Sequence, residues 1–168
     1  MSIVNSQVAS EVISSLIRGA QLDTIRVYSL IIQLGFVRID ASEELPAEIW
    51  VSVSGNLLKE QISAEAGDSN SAGDQFGRRA IVLAETYLLI GKEVTAASVS
   101  ESGTLHICLG GASLRAEADN DGSLEEVWTV MSDTPDTTAD HRWYVVFDDS
   151  GVLSARIPPS ASNLSLPC

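Results

Sequence analysis

The stretch AEIWVSVSG at residues 47–55 decides how the fold is interpreted, because EEVWTVMSD at residues 125–133 nearly copies it. Both stretches contain Glu-(Ile/Val)-Trp-x-x-x-Ser, and both are rich in the β-branched residues that favour strands. A motif that occurs twice in 168 residues predicts two copies of one supersecondary unit.

The similarity extends outward from the Trp motif. When Gly19 is aligned with Gly91, SLIRGAQLDTIRV (15–27) matches YLLIGKEVTAASV (87–99) in its large apolar positions. IIQLG (31–35) then matches HICLG (106–110), and the offset grows from 72 to 75 to 78 at the Trp motif, as small loop insertions would produce. We therefore expect an internal duplication in which Trp50 and Trp128 fill the same packing position in their halves. A chance match between gapped segments is the alternative, and ligand stacking is the alternative role for the two Trp residues.

Each half begins with a predicted helix. In the first, Asn5 or Ser6 supplies an N-cap and Gly19 ends the helix. In the second, Asp74 is the candidate N-cap and Gly91 the end. The first helix has one apolar stripe, formed by Val8, Val12, Ile13, Leu16 and Ile17.

Short segments rich in β-branched residues follow each helix and predict antiparallel strands. In the first half they cover 22–28, 30–39, 47–55 and 56–64, although the last could also form a short helix. In the second half they cover 93–100, 104–110, 113–118, 125–132, 142–148 and 152–158, with turns at DNDG (119–122) and DDSG (148–151).

The sequence thus predicts an α+β fold of two pseudo-repeated units, each an N-terminal helix followed by an antiparallel β-meander. We assign 1–64 to the first helix and meander, 65–75 to a linker, 76–158 to the second helix and meander, and 159–168 to a frayed tail. The pattern leaves open whether the two units share one sheet.

Composition places the chain among ordinary globular proteins, with 45% apolar and 20% charged residues. No apolar run reaches the roughly 18–20 residues of a membrane span, and the N-terminus has no secretory-signal features. Two cysteines, Cys108 and Cys168, do not make a disulfide framework. We therefore expect a cytoplasmic, bacterial-type protein.

The formal net charge of −13 argues against nucleic acid and anionic membranes as partners. Residues 116–150 contain ten acidic side chains against a single arginine, Arg142. This segment predicts either a solvated face that aids solubility or a docking face for a basic protein. For the docking face we expect the partner-binding residues to be Asp119, Asp121, Glu125, Asp133, Asp136, Asp140, Tyr144, Asp148 and Asp149.

The stretch HRWYVVFDD (141–149) brings aromatic residues next to this acidic segment. Period-two alternation predicts that Trp143, Val145 and Phe147 form a buried strand face. Tyr144 then lies on the other face, where it can anchor a partner rich in Lys and Arg.

Signatures of catalysis or metal binding are weak. There is no phosphate-binding glycine loop, H-E-x-x-H, C-x-x-C or G-x-S-x-G. His106 and Cys108 share a predicted strand face, an arrangement that more often reflects packing than a nucleophile and its base. Residues 117–128 imitate a calcium loop, but Trp128 stands where the bidentate Glu belongs. We expect no catalytic activity, no cofactor and no metal.

A small, acidic, cysteine-poor domain whose meanders end in WYVVFDDSGVLSARIP (143–158) resembles the immunity proteins of bacterial polymorphic and contact-dependent growth inhibition toxin systems. The resemblance implies a protein without catalysis that neutralises a basic toxin domain, commonly a nuclease. An acidic secretion chaperone is the main alternative. A ligand-binding or enzymatic module is a further one, which would need a pocket that joins His106, Cys108 and a carboxylate.

Overall fold

The computed structural model describes residues 1–40, 45–61, 75–118, 125–133 and 142–158. Its helices are α1 (Ser6–Ile17) and α2 (Gln75–Tyr87). Its strands are β1 (Ser2–Ile3), β2 (Gln21–Val27), β3 (Ile32–Val37), β4 (Glu48–Val53), β5 (Asn56–Gln61), β6 (Val94–Val99), β7 (Leu105–Leu109), β8 (Ala112–Glu117), β9 (Glu126–Asp133), β10 (Tyr144–Asp148) and β11 (Leu153–Arg156). The linker 65–75, except for Gln75, the turn 119–122 and the tail 159–168 lie outside the described residues.

The strands form two antiparallel sheets, which confirms the α+β class. The large sheet has seven strands in the order β1-β11-β10-β9-β4-β3-β2, and the small sheet has four in the order β5-β8-β7-β6. Their apolar faces meet: Leu34, Val51 and Val53 of the large sheet face Leu57, Ile107 and Leu114 of the small one across a gap too small for a water molecule.

The predicted pseudo-repeat, with a helix before each separate meander, is not confirmed. Strand β5 leaves the first half to pair with β8, and strands β9 to β11 of the second half join β2 to β4. In the large sheet, β4 of the first half pairs with β9 of the second along its whole length, from Glu48↔Asp133 to Val53↔Trp128. This exchange of strands between the halves leaves each sheet with an apolar face that packs against the other sheet.

The first helix begins as predicted. The Asn5 side chain accepts a hydrogen bond from the Val8 amide at 2.9 Å, which confirms Asn5 as the N-cap. The helix lies against β6, where the Ser10 hydroxyl accepts a hydrogen bond from the Val99 amide at 2.7 Å. Ser10 therefore satisfies a backbone donor at the edge of the small sheet, a position that would otherwise be open to another strand.

A corner between the two sheets joins the segments that follow the helices. Gly19 donates to the Val94 carbonyl at 2.9 Å, and Gly91 donates to the Leu22 carbonyl at 2.7 Å. Both glycines have positive φ, +81° and +80°, so each ends its helical segment in the left-handed region as predicted. Helix α2 itself ends at Tyr87, and a tighter turn covers the residues up to Gly91.

The two repeated Trp residues occupy different environments, so the expectation of one shared packing position is wrong. Trp128 is fully buried between the sheets, whereas Trp50 lies half-buried on the opposite face of the large sheet. The register explains the difference, because Trp128 is opposite Val53 and Trp50 is opposite Met131. Residues directly opposite each other share a face, and positions 50 and 53 of one strand point to opposite faces.

In the part of the chain that the structure describes, no helix has the length and apolar character needed to cross a membrane.

Candidate functional site

The outer face of the large sheet, which is turned away from the small sheet, carries one continuous row of side chains across six strands. Successive cross-strand partners place the row in the order Thr24, Gly35, Trp50, Met131, Tyr144 and Arg156. Trp50, Met131 and Tyr144 are adjacent in this row and supply apolar surface on the side of the molecule where Tyr144 was predicted to be exposed.

Trp50 is held in place by the residues around it. A Cβ atom at Gly35 would come within 2.8 Å of the Trp50 ring, so the ring lies over Gly35 in a space that only glycine leaves open. The Arg26 guanidinium lies over the ring, with its central carbon 4.2 Å from the ring centroid. Gly35 and Arg26 therefore hold the Trp50 ring in position, and the Arg26 guanidinium places a positive charge beside it.

Tyr144 lies along the sheet. Its hydroxyl donates a hydrogen bond to Glu126 Oε1 at 3.2 Å. Glu126 is opposite Asp148, four residues along β10 from Tyr144, which is about 13 Å at the rise of an antiparallel strand. To span that distance the phenol ring must extend over Thr129 and Val146, and both are buried although they belong to the outer face.

The environment of Tyr144 raises the pKa of its phenol. Desolvation is the largest cause, and the charge and hydrogen bond of Glu126 add to it, while Arg156 opposes it. The phenol is therefore held neutral as a donor to the Glu126 carboxylate.

The β10–β11 hairpin confirms the turn predicted at DDSG. Asp148 Oδ1 accepts hydrogen bonds from Ser150 Oγ at 2.6 Å and from the Val152 amide at 2.9 Å. These bonds lower the pKa of Asp148, because they stabilise its ionised form. Gly151 has φ +83°, the conformation that favours glycine at this position. Asp148 thus has a structural role in the turn, whereas Asp149 is exposed beside it.

The structure brings part of the predicted partner-binding set together. Glu125 and Glu126 at the start of β9 and Asp148 and Asp149 at the end of β10 form, with Tyr144, what we call the acidic end. Sequence reasoning missed Glu126, because only the β9–β10 register places it beside Asp148. Of the other predicted residues, Asp133 ends β9 without a described side chain. The remaining four lie outside the described residues: Asp119, Asp121, Asp136 and Asp140.

Among the described residues, the carboxylates of the acidic end are not joined to basic side chains by ion pairs. By contrast, Glu60 pairs with Arg115 at 2.8 Å on the small sheet. Uncompensated carboxylates at an exposed strand end produce a negative potential that extends into solvent and attracts a basic molecule.

His106 and Cys108 lie elsewhere, on the outer face of the small sheet. The residues opposite His106 are Ser98 and Arg115, and those opposite Cys108 are Ala96 and Ser113. No carboxylate lies directly opposite either residue. The described ranges contain no group of three or more His, Cys, Asp or Glu arranged to hold a metal ion.

Comparison of the chain with family models, with curated proteins and with solved structures returned no match.

Proposed function

We propose that this protein is an immunity protein that binds and neutralises a basic toxin domain through the acidic end. The proposal is carried by one observation: four carboxylates without ion-pair partners among the described residues adjoin Tyr144, whose hydroxyl is bonded to one of them, Glu126.

The mechanism has two steps. The carboxylates steer a basic domain toward the acidic end, because complementary charge raises the rate of productive encounter. The neighbouring side chains of Tyr144 and Met131 then provide the apolar contact that fixes the partner on the outer face, beside the acidic end. A partner bound there has its basic surface covered, and that is the surface with which it would bind its own substrate.

The first experiment isolates partners on the immobilised protein from lysate at low salt, followed by stepwise elution with salt. The eluted protein is then expressed in cells with and without this chain. A basic protein that is toxic alone and harmless in its presence supports the proposal. Capture of no basic protein, or of one that is equally toxic in both strains, contradicts it.

Matched charge reversals then test whether the acidic end is the surface used. Asp149→Lys and Glu125→Lys should slow association with the isolated partner and reduce its salt dependence. Glu93→Lys, an equally exposed change at the corner between the sheets, is the control and should leave the association rate nearly unchanged. Equal effects of all three would assign the attraction to net charge alone.

A secretion chaperone is the second candidate, because large apolar side chains are exposed on and beside α2, among them Tyr87 and Leu88. A chaperone would hold an unfolded segment on apolar surface, so its partner should resist elution by salt. The elution profile therefore separates the two functions.

We also propose that the two halves arose by duplication. The hydrogen bonds at the corner support it: Gly19 to Val94 and Gly91 to Leu22 are related by one offset of 72 residues. The bonds from Leu22 to Lys92 and from Val94 to Ala20 obey the same offset. Homologous sequences test the idea, because a true duplication should keep the 72-residue correspondence at these positions across many of them.

A further inference from the structure

On the side away from β3, the first two residues of β2 meet the 91–93 segment, because Gln21 forms a bridge with Glu93 and Leu22 bonds to that segment. The rest of β2, from Asp23 to Val27, is a sheet edge with no neighbouring strand among the described residues. It ends the large sheet in the described part of the chain, whereas β1 at the other end has only two residues. Tyr28 donates to the Ile31 carbonyl at 2.8 Å, which fixes the hairpin register. From this bonded pair onward, cross-strand pairs that share backbone hydrogen bonds alternate with pairs that do not. Ile25 and Val27 therefore make no backbone hydrogen bonds to their partners on β3. Their amide and carbonyl groups therefore point outward from the sheet.

Strands β2 and β6 follow the two helices and each forms a sheet edge, but their outward backbone groups differ in whether a side chain bonds to them. On β6, Ser10 of α1 binds the outward amide of Val99. No described side chain does the same for Ile25 or Val27 on β2, and the Val27 side chain is 54% exposed. Such an edge is a template for strand addition.

Large apolar side chains are exposed on the segments next to this edge. Arg79 of α2 donates to the carbonyls of Tyr28 and Ser29 at 2.8 Å, which holds the helix beside the hairpin. The large apolar side chains exposed on the hairpin and on α2 with its following turn include Tyr28, Leu30, Ile31, Ile81, Tyr87 and Leu88. Together with Val27, these are seven large apolar side chains, each at least a third exposed, on segments beside one edge. Apolar surface of this kind is what a standard interface of ~800 Å² per partner covers.

The charge of the segments beside this edge favours a second copy of the chain as the molecule that binds there. Segments 21–31 and 75–91 contain three basic and two acidic side chains, a net charge of +1 in a chain of −13. Most of this protein would repel a second copy of itself, but these two segments would not. They also lack the concentrated negative charge that would select a basic partner.

We propose that a second copy of this chain binds here, through antiparallel pairing of the two β2 strands about a two-fold axis at Arg26. Ile25 of each copy then lies opposite Val27 of the other, and their outward amides and carbonyls bond in two reciprocal pairs. The two seven-stranded sheets join into one, and the apolar surfaces of the hairpins and α2 helices are covered.

The Arg26–Trp50 contact removes the main obstacle to this pairing. Two Arg26 side chains would meet on the axis, and like charges directly opposite each other are destabilising. However, the guanidinium is held 4.2 Å from the ring of Trp50, on β4, two strands in from the edge. The positive charges are therefore drawn away from the axis.

Sedimentation equilibrium across the micromolar range tests the pairing. The wild type should approach twice 17.9 kDa as concentration rises. Val27→Lys should shift it to the monomer, whereas Ile39→Lys, at a position 77% exposed in the β3–β4 connection, should not. Circular dichroism confirms that each variant is folded. A monomer at every concentration overturns the proposal, as does a dimer equally sensitive to both variants.

Disulfide trapping tests the axis directly. In a Cys108→Ser, Cys168→Ser background, Arg26→Cys should form a disulfide dimer in mild oxidant, because residues on the axis form a non-bonded pair with Cα atoms about 4.5 Å apart. Ser98→Cys, exposed on β6, is the matched control. Equal trapping at both positions, or trapping at neither, overturns the axis. A monomer that instead takes an extended peptide of another protein along β2 overturns the second copy as occupant.

Discussion

The indole nitrogen of Trp128 donates a hydrogen bond to the carbonyl oxygen of Gly103 at 2.8 Å, and both residues are buried. The bond connects the centre of the large sheet to the loop between β6 and β7 of the small sheet. The Trp128 ring also stacks on Phe147, with ring centroids 6.0 Å apart. The two sheets are therefore joined at this point by a polar bond as well as by apolar packing.

Trp128→Phe removes the donor and leaves the Gly103 carbonyl buried without its partner. We expect a loss of about 1–3 kcal/mol in the free energy of unfolding for the unsatisfied carbonyl, in addition to the cost of the lost ring volume. Urea denaturation measures it. Trp50→Phe is the comparison, because Trp50 lies half-buried on the outer face, and it should cost clearly less.

Gly103→Ala should be far more destabilising than Gly111→Ala. Both glycines have positive φ, +81° and +79°, so both changes place alanine in an unfavourable backbone conformation at about 1–2 kcal/mol. At Gly103 the new Cβ would also overlap the Phe147 ring, whereas at Gly111 no atom lies within 4 Å. Overpacking should add about 1–3 kcal/mol at Gly103 alone. Thermal melts that show similar losses would contradict the packing of Phe147 on this loop.

Ser10→Ala should expose the edge of β6. The Val99 amide loses its acceptor, so its hydrogen exchange should accelerate relative to amides elsewhere in β6, and the free energy of unfolding should fall by about 1–2 kcal/mol. Ser15→Ala, on the same helix, is the control. Unchanged protection of the Val99 amide in Ser10→Ala would mean that the hydroxyl is not its acceptor.

Asp148 should stabilise the protein only while it is ionised. Its folded-state pKa is lowered from 3.8 by its bonds to Ser150 and Val152. The contribution is therefore fully present above the unfolded pKa and is lost as pH falls through the folded pKa. Comparison of the wild type with Asp148→Asn by urea denaturation should give a stability difference that is constant near neutral pH and shrinks below about pH 4. A stability difference that grows as the pH falls would contradict a lowered pKa for Asp148 in the folded protein.

Tyr144 should ionise later than an ordinary tyrosine, because its folded-state pKa is raised from 10.0. Stability from this neutral phenol is present below the unfolded pKa and is lost as pH rises through the folded pKa. Glu126→Gln removes the nearby negative charge, so absorbance titration should show the Tyr144 transition at lower pH than in the wild type. Glu125→Gln is the matched control and should leave it in place.

The burial pattern of the strand beside the candidate site was predictable from the sequence, but the grouping of the acidic side chains was not. Alternation along 143–147 correctly buried Trp143, Val145 and Phe147 and turned Tyr144 outward. Glu126 was missed, since its position beside Asp148 depends on the β9–β10 register and its bulge. Register is a property of two strands together, and alternation within one strand cannot supply it.

The sequence by itself determined the local structure: the Asn5 cap, the two helical segments that end at Gly19 and Gly91, the strand segments and the Asp148 turn. These depend on side-chain bonds within a few residues or on backbone conformations that glycine favours. Only the tertiary structure decided which strands are neighbours. In the tertiary structure β5 belongs to the small sheet and β4 pairs with β9. As a result, Trp50 lies on the outer face of the large sheet and Trp128 lies between the sheets. Two segments with nearly the same sequence acquire different environments because burial depends on what covers each face, and that is determined by the sheets together.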